Sequence, residues 1–526
     1  MSELRKYVRA MYRLIFSVVN VVSHFLFSLT YRQCGEKAPP ITDLLLLDSA
    51  SKIALKIRTK KVKCSDVLES FIARIKQINP VLNCVVAERF AEARQEAKNV
   101  DELLKSDTIP DDVLAREKPF LGVPFTTKDC IAVKGMIHTA GLVARKHIIA
   151  SDDATTVKHL KNAGAIPIAL TNISELCMWW ESDNNIHGRS RNPYDTNRIV
   201  GGSSGGEGCI QAAAGSAFGV GSDIGGSIRM PSFFNGVFGH KPSPFTVSND
   251  GQFPPPSSGD HDSFLGVGPM CRHAEDLLPL MKILSGGKQS QLKLDLQVNI
   301  NEVDIFYQED DQGSVAVSPV NKEIKALFGK LVTYFDKAHS RKLTKLELKR
   351  FAKSQQMWFA GMKTQSGPTF HDQLSGLNGR ISLPWELLKW CFRCSNHTFI
   401  ALSTALVENA GEAYGSSKHT YLLRERDKLR EELLEILGDN GVFIYPTHPT
   451  VAPYHNEPIF KPFNFSYTGI INVLGLPATH IPMGLNSEGI PIGLQVVSAP
   501  NNDRLCLAIA RELEKAFGGW VPPQLE

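Results

Sequence analysis

Residues 200–231 read VGGSSGGEGCIQAAAGSAFGVGSDIGGSIRMP, and two serines of that stretch, Ser203 and Ser227, lie in separate glycine-rich turns 24 positions apart. Glycine permits tight turns and close backbone approach, and successive N–H groups in such a turn form a concavity that favours negative charge. The second turn, which ends at Ser227, therefore reads as a cradle for an oxyanion with a hydroxyl at its end. That pairing suits acyl chemistry. A serine hydroxyl stays protonated at neutral pH, so a base has to come from elsewhere in the chain.

The candidate base lies upstream. The segment FLGVPFTTKD, residues 120–129, reads as a short apolar strand that delivers Lys128 at its end, ahead of a polar turn. A lysine taken alone is most often a solvated surface residue. Lys128 is singled out by the motifs that follow it.

FLGVPFTTKD, GGSSGGEG and GSDIGGSIRMP, in that order and at that spacing, resemble the amidase signature family of serine hydrolases. The likeness continues in LESFIARIKQINPVLNCVV at 68–86, in IYPTHPTVAP at 444–453, and in LGLPATHIPMG and GIPIGLQVV between 474 and 497. It covers nearly the whole chain after about residue 40. Within the family, the hydrophobic N-terminus together with SELCMWWES and VFGHKPSP is most similar to the membrane-bound fatty-acid amide hydrolases, and among these to the type 2 enzymes.

The resemblance implies roles residue by residue. Lys128 matches the family's catalytic lysine, Ser203 its bridging serine, held through a cis peptide, and Ser227 its acylated nucleophile. The backbone N–H groups of Ile224, Gly225, Gly226 and Ser227 match the oxyanion hole. The implied substrates are long-chain fatty acid primary amides and N-acylethanolamines, cut to a free fatty acid and ammonia or ethanolamine. The implied fold is α/β, a large, mixed, twisted sheet sandwiched by helices. A homodimer and a place in the endoplasmic reticulum or on lipid droplets are left open by the same resemblance.

The chemistry makes sense of these residue types. A lysine acts as a base only when uncharged, and burial penalises its charged form. Neutral Lys128 would take a proton from Ser203 as Ser203 takes one from Ser227, while the turn holds the tetrahedral oxyanion. Returned through Ser203, the proton reaches the leaving nitrogen, without which an amine leaves poorly. Asp223 and Arg229 flank the nucleophile turn and read as a pair that fixes its geometry. Asp129 reads as a hydrogen-bonding turn residue.

Competing motifs are weaker. Both Gly201–Gly205 and Gly202–Gly206 satisfy G-x-S-x-G, yet only Ile199 and Val200 precede the glycines, where a nucleophile elbow requires a strand. Downstream, His240, His448, His455 and His480 lack an evident acid partner and read as packed or surface residues. The remaining alternatives are a Ser-His-Asp esterase, a soluble amidase of small amides such as a glutaminase subunit, and a catalytically silent membrane adaptor. No phosphate-binding G-K-[ST] loop and no H-E-x-x-H occur, and Cys391 and Cys394 stand without a second pair, so neither a cofactor nor a metal is expected.

A 526-residue chain without a long Ser/Gly/Pro linker or charge block fits one large catalytic domain, residues 39–526, behind an anchor at 1–38. A net charge of +4, mixed in sign along the chain, gives no footprint for nucleic acid. Ten irregularly spaced cysteines do not suggest a disulfide scaffold. Residues 14–31, LIFSVVNVVSHFLFSLTY, are apolar enough to enter a bilayer, though 18 residues are short for a span of about 20. Ser17, Asn20, His24 and Ser28 recur on one helical seam, which suits a single-pass span, helix pairing or an in-plane helix. Arg5, Lys6, Arg9 and Arg13 before the stretch would hold a spanning N-terminus in the cytoplasm, and a cleaved signal peptide is the rival reading. Helices are expected over 46–59, over 65–78 ahead of Asn79-Pro80, and over 424–437 closed by Gly438; strands are expected at 165–170 and 441–445. The tracts 176–180 and 385–392 are candidates for the wall of an acyl channel.

Overall fold

The computed structural model describes residues 2–31, 35–256, 259–365, 367–408 and 412–525. An eleven-stranded sheet forms its centre. Across it the strands run Val85–Glu88, Ile166–Thr171, Pro124–Lys128, Phe218–Asp223, Gly266–Cys271, Phe238–Lys241, Ala478–Leu485, Pro491–Ser498, Gly441–Pro446, Asp304–Tyr307 and Thr344–Lys345. The sheet is mixed, as expected. Pro124–Lys128 lies between two parallel partners, Ile166–Thr171 and Phe218–Asp223, whereas Gly266–Cys271 and both C-terminal strands pair antiparallel.

The three parallel strands are buried at every position. This is the pattern of strands covered on both faces by helices. Thr127 pairs with Val220 and Lys128 with Thr171, so the three carboxyl ends reach the same edge of the sheet. In open α/β sheets that edge is where ligands bind. Lys128, Thr171 and Asp223 therefore arrive at one place because of strand direction alone.

Helix Cys64–Leu82 packs on helix Phe90–Ser106, with Val67, Phe71, Ile75, Ile78 and Leu82 among its buried positions. It runs past the expected stop at Asn79-Pro80, because a proline in the last turn removes only one N–H from a helix otherwise held by its apolar face. The Asn79 carboxamide compensates: its Oδ1 accepts from the N–H groups of Cys84 and Val85, and its Nδ2 donates to the Val85 carbonyl. Asn83, with φ +49, ends the helix. The helix expected over 46–59 divides into a 3-10 turn, Leu44–Leu47, and a helix, Ala50–Arg58, because Ser49 accepts the Lys52 N–H as a cap. The C-terminal charged helix begins earlier than expected, at Ser417, where Ser416 caps it, and closes at Gly438. The two expected strands are Ile166–Thr171 and Gly441–Pro446.

From Arg13 onward the N-terminal helix, Ser2–Thr30, lies against the body of the fold. Arg13 faces Asp311, Ser318 donates to Asn20 Oδ1 at 2.9 Å, His24 Nδ1 meets Glu457 Oε1 at 3.1 Å, and Phe27 meets Phe460 edge-on. Its docked seam includes two of the four polar residues expected there. The opposite face presents Leu14, Val18, Val21, Val22, Phe25 and Leu26 to the outside, each about half exposed. Met11–Thr30 is long and apolar enough to cross a membrane.

Candidate active site

Lys128 and Ser203 are wholly buried, and Lys128 Nζ lies 2.6 Å from Ser203 Oγ and 3.0 Å from Ser222 Oγ. No carboxylate forms an ion pair with Lys128 among the described residues. The Gly202-Ser203 peptide is cis. Ser222, which sequence reasoning did not single out, ends beside Lys128 because their strands pair in parallel register. Its one sequence signal is its position within GSDIGGS.

The two glycine turns touch: the Ser204 N–H donates to the Ser227 carbonyl at 3.2 Å. Glycines 205 and 206 begin the buried helix Gly205–Ala212, where added Cβ atoms would come within 2.3 Å of Ser182 Oγ and 2.4 Å of the Asn172 nitrogen. They serve close approach. Gly226 serves conformation as well, with φ +120 and Thr468 Oγ1 2.0 Å from where a Cβ would sit.

Asp223 organises the nucleophile turn. Its Oδ1 accepts the Gly226 N–H at 2.7 Å and its Oδ2 the Ile228 N–H at 3.2 Å. Arg229 donates to both oxygens from Nε and Nη2, each at 3.0 Å, and reaches on to Gln495, Asn472 and the Thr468 carbonyl. Burial works to raise the Asp223 carboxyl, but the Arg229 guanidinium overrides it and holds the group down to about 2. The carbonyls are tied too: Asn472 Nδ2 donates to that of Asp223, Trp358 Nε1 to that of Ile224, and Thr468 Oγ1 to that of Gly225. With the carbonyls held outward, the Ile224, Gly225 and Ser227 N–H groups carry no hydrogen bond among the described residues. Gly226, expected among the oxyanion donors, gives its N–H to Asp223 instead, because the carboxylate lies beneath the turn.

Ser227 is 8% exposed, the only one of the three expected side chains with access to solvent. No hydrogen bond joins its hydroxyl to Ser203 among the described residues. Ser204, the rival elbow serine, is wholly buried and its hydroxyl is taken up by the Ser222 backbone. None of the histidines reaches Ser203, Ser204 or Ser227 among the described residues. His240 meets Thr479 and Asp503, His448 the Thr450 carbonyl, His455 Glu181, and His480 Thr447. Burial pushes His448 and His480 down to about 3, so both are neutral packing groups. Asp129 accepts from Thr139, as a turn residue would, and burial raises its carboxyl to about 7.

Residues 66–507 match the family described as Amidase. The chain belongs to the amidase family. Fatty-acid amide hydrolase 2 of Homo sapiens is 48% identical to this amidase over 495 residues, 93% of either chain. Fatty-acid amide hydrolase 2-A of Danio rerio is 44% identical over 527 residues, 99% of this chain and 98% of that one. A solved fatty acid amide hydrolase superposes with a TM-score of 0.71 at 23% identity, covering 91% of this chain and 86% of its own, and that likeness establishes the shared fold. This amidase is an amide-hydrolysing enzyme.

Of the tracts expected to wall an acyl channel, the first borders a small cleft of about 40 Å³, where Met178 and Trp179 stand with Ile459 but also with the charged side chains of Glu181, Asp183 and Arg189. The second lies on the surface, with Trp385 59% and Phe392 72% exposed, because helix Leu383–Cys391 packs on helix Phe399–Glu408 and turns these rings outward. His397 Nδ1, 2.7 Å from Glu175 Oε1, and the Thr398 N–H, which donates to Glu175 Oε2, tie that helix pair to the loop bearing Trp179.

Proposed function

We propose that this amidase cleaves fatty acid amides, both primary amides and N-acylethanolamines, through an acyl-enzyme on Ser227. The observation that carries the reading is the wholly buried contact of 2.6 Å between Lys128 Nζ and Ser203 Oγ, in a turn hydrogen-bonded to the one whose Ile224, Gly225 and Ser227 N–H groups carry no hydrogen bond among the described residues. Lys128 draws the Ser203 proton, Ser203 draws that of Ser227, and Ser227 Oγ attacks the amide carbonyl. The oxyanion is held by the N–H groups of Ile224, Gly225 and Ser227, while Gly226 stays bonded to Asp223 and keeps the turn in shape. The proton returns through Ser203 to the leaving nitrogen, and water then releases the fatty acid.

The fatty amide class is supported by the two relatives' names. Residues 1–38 form an anchor and 39–526 the catalytic unit. The anchor lies in the membrane plane. Contacts from Arg13 to Tyr31 run along about 27 Å of helix, so the docked helix offers lipid its outer face only.

The test is covalent labelling with an activated fluorophosphonate followed by peptide mapping, on the native chain and on Ser227→Ala and Lys128→Ala. Label on Ser227 of the native chain, absent from Ser227→Ala and slowed at least a hundredfold in Lys128→Ala, is expected. Label on Ser204, or full reactivity without Lys128, would refute the relay.

A further inference from the structure

Glu207 is a wholly buried carboxyl on the helix Gly205–Ala212, which starts two residues after Ser203. Three adjacent strands form its seat. Its Oε2 accepts from Thr126 Oγ at 2.9 Å and its Oε1 from Thr171 Oγ, on the next strand, at 2.9 Å. On the other side of Thr126 stands its register partner Gly219, where an added Cβ would collide with Oε2, so the third strand leaves room by carrying no side chain. Residues two apart on a strand face the same way. Thr126 therefore shares the face of Lys128, and Thr171 is the register partner of Lys128 itself. One carboxyl thus ties the strand that ends in Lys128 to the helix that follows Ser203. The arrangement is destabilising by itself: among the described residues no cation forms an ion pair with Glu207, whose partners are two hydroxyls and the Gln211 amide at 3.5 Å. An uncharged side chain of the same size would bridge helix and strands at less cost.

We propose that Glu207 is a positioning residue for the relay: it holds Lys128 and Ser203 in contact and, in its ionised form, favours the move of the Ser203 proton onto Lys128. The inference rests on the Lys128–Ser203–Ser227 reading. Of the charged groups on the elements packed around the seat, Lys128 is the one that faces it. Arg272 donates to the Gln211 and Ser216 carbonyls, and Arg229 is paired with Asp223. Burial raises the Glu207 carboxyl to about 7, against the hydrogen bonds from Thr126 and Thr171. Below that value the group is protonated and its negative charge is absent. Above it both oxygens accept from the threonines and the charge stands behind Lys128. Hydrolysis therefore gains from the same ionisation that costs the fold stability.

The full-length chain in detergent and its Glu207→Gln and Thr171→Val variants are assayed for hydrolysis of a long-chain primary amide from pH 5.5 to pH 9, with urea unfolding on the same samples. In the native chain kcat should rise with a midpoint near 7. Glu207→Gln should lose that step and fall about tenfold in kcat at pH 8, with KM within about twofold, while unfolding at no less urea than the native chain. Thr171→Val keeps the carboxyl but removes one hydroxyl that favours its ionised form, so the step should remain with its midpoint moved upward. Should Glu207→Gln fail to fold, that upward move decides alone. A Glu207→Gln chain with the native kcat and pH profile, or one whose kcat falls only in step with its stability, overturns the proposal. Fluorophosphonate labelling of Ser227 is scored on the native chain in parallel. Label at Ser227 with an unchanged Glu207→Gln profile sinks this inference alone, whereas a native chain that hydrolyses the amide without label at Ser227 sinks the relay and this inference with it.

Discussion

Replacing Asp223 with asparagine keeps the side-chain shape but removes the charge that Arg229 faces in the interior. Both groups are fully buried, and the guanidinium also serves Gln495, Asn472 and the Thr468 carbonyl, so it cannot swing into water. The carboxyl sits near 2 in the folded protein against 3.8 for the free residue, a difference of about 2 kcal/mol. Leaving Arg229 unpaired adds the penalty of an uncompensated buried charge, which brings the expected loss to about 3–5 kcal/mol. Because the folded value is depressed, this stability is complete above the unfolded value near 4 and is lost as pH falls towards 2. Urea unfolding followed by tryptophan fluorescence, repeated from pH 7 down to pH 3, measures both effects. Asp223→Asn should be destabilised at pH 7 and should approach the native chain as pH falls. The double variant Asp223→Asn/Arg229→Met should recover part of the loss, since a missing pair costs less than a broken one. A single variant within about 1 kcal/mol of the native chain at pH 7, or a double variant worse than the single by the full cost of each, would refute the view that this pair carries the turn.

Gly226→Ala forces a Cβ to within 2.0 Å of Thr468 Oγ1, which itself holds the Gly225 carbonyl, so the turn must move. The expected outcome is a fall in kcat of about 10²–10³ with little change in KM, and steady-state kinetics that show the reverse split would contradict the oxyanion role. Ser222→Ala removes one of two hydroxyls on Lys128, for an expected kcat about tenfold lower, read against Ser203→Ala, which should be far worse. Glu207→Gln bears on pH: burial raises this carboxyl to about 7, with Thr126 and Thr171 hydroxyls bonded to it. A raised folded value means that stability is full below about 4.5 and falls as pH climbs to 7, so the variant's advantage over the native chain should grow from pH 5 to pH 8 in denaturation curves.

The residues of the proposed relay were singled out through the resemblance of the contiguous motifs that hold them, and their own pattern supplied only a local geometry. Lys128 could be placed at a strand end, and Ser227 at the end of a turn, from a few neighbours each. What holds them was not legible. Asn472, Thr468 and Trp358, which fix the three carbonyls of the nucleophile turn, come from more than 130 residues away, and only the closed fold brings them there. The same limit explains Gly226: its N–H looks free in sequence and is bonded only because Asp223 folds beneath the turn. Pro80 misled for a different reason. Local preference favours a stop, but the apolar face of helix Cys64–Leu82 and the Asn79 bonds outweigh one lost hydrogen bond.

The N-terminal helix reverses the usual polarity of a surface helix, with its polar seam turned to the protein and its apolar face turned away. Asn20 and His24 find partners in Ser318 and Glu457, and burial of Glu457 is offset by hydrogen bonds from His24 and Lys461 that hold its carboxyl down to about 2. Such specific polar docking has no function in a helix surrounded by lipid on all sides, and an outer face of Leu14, Val18, Val22 and Leu26 is a liability in one surrounded by water. A membrane surface on one side and the catalytic body on the other satisfies both faces.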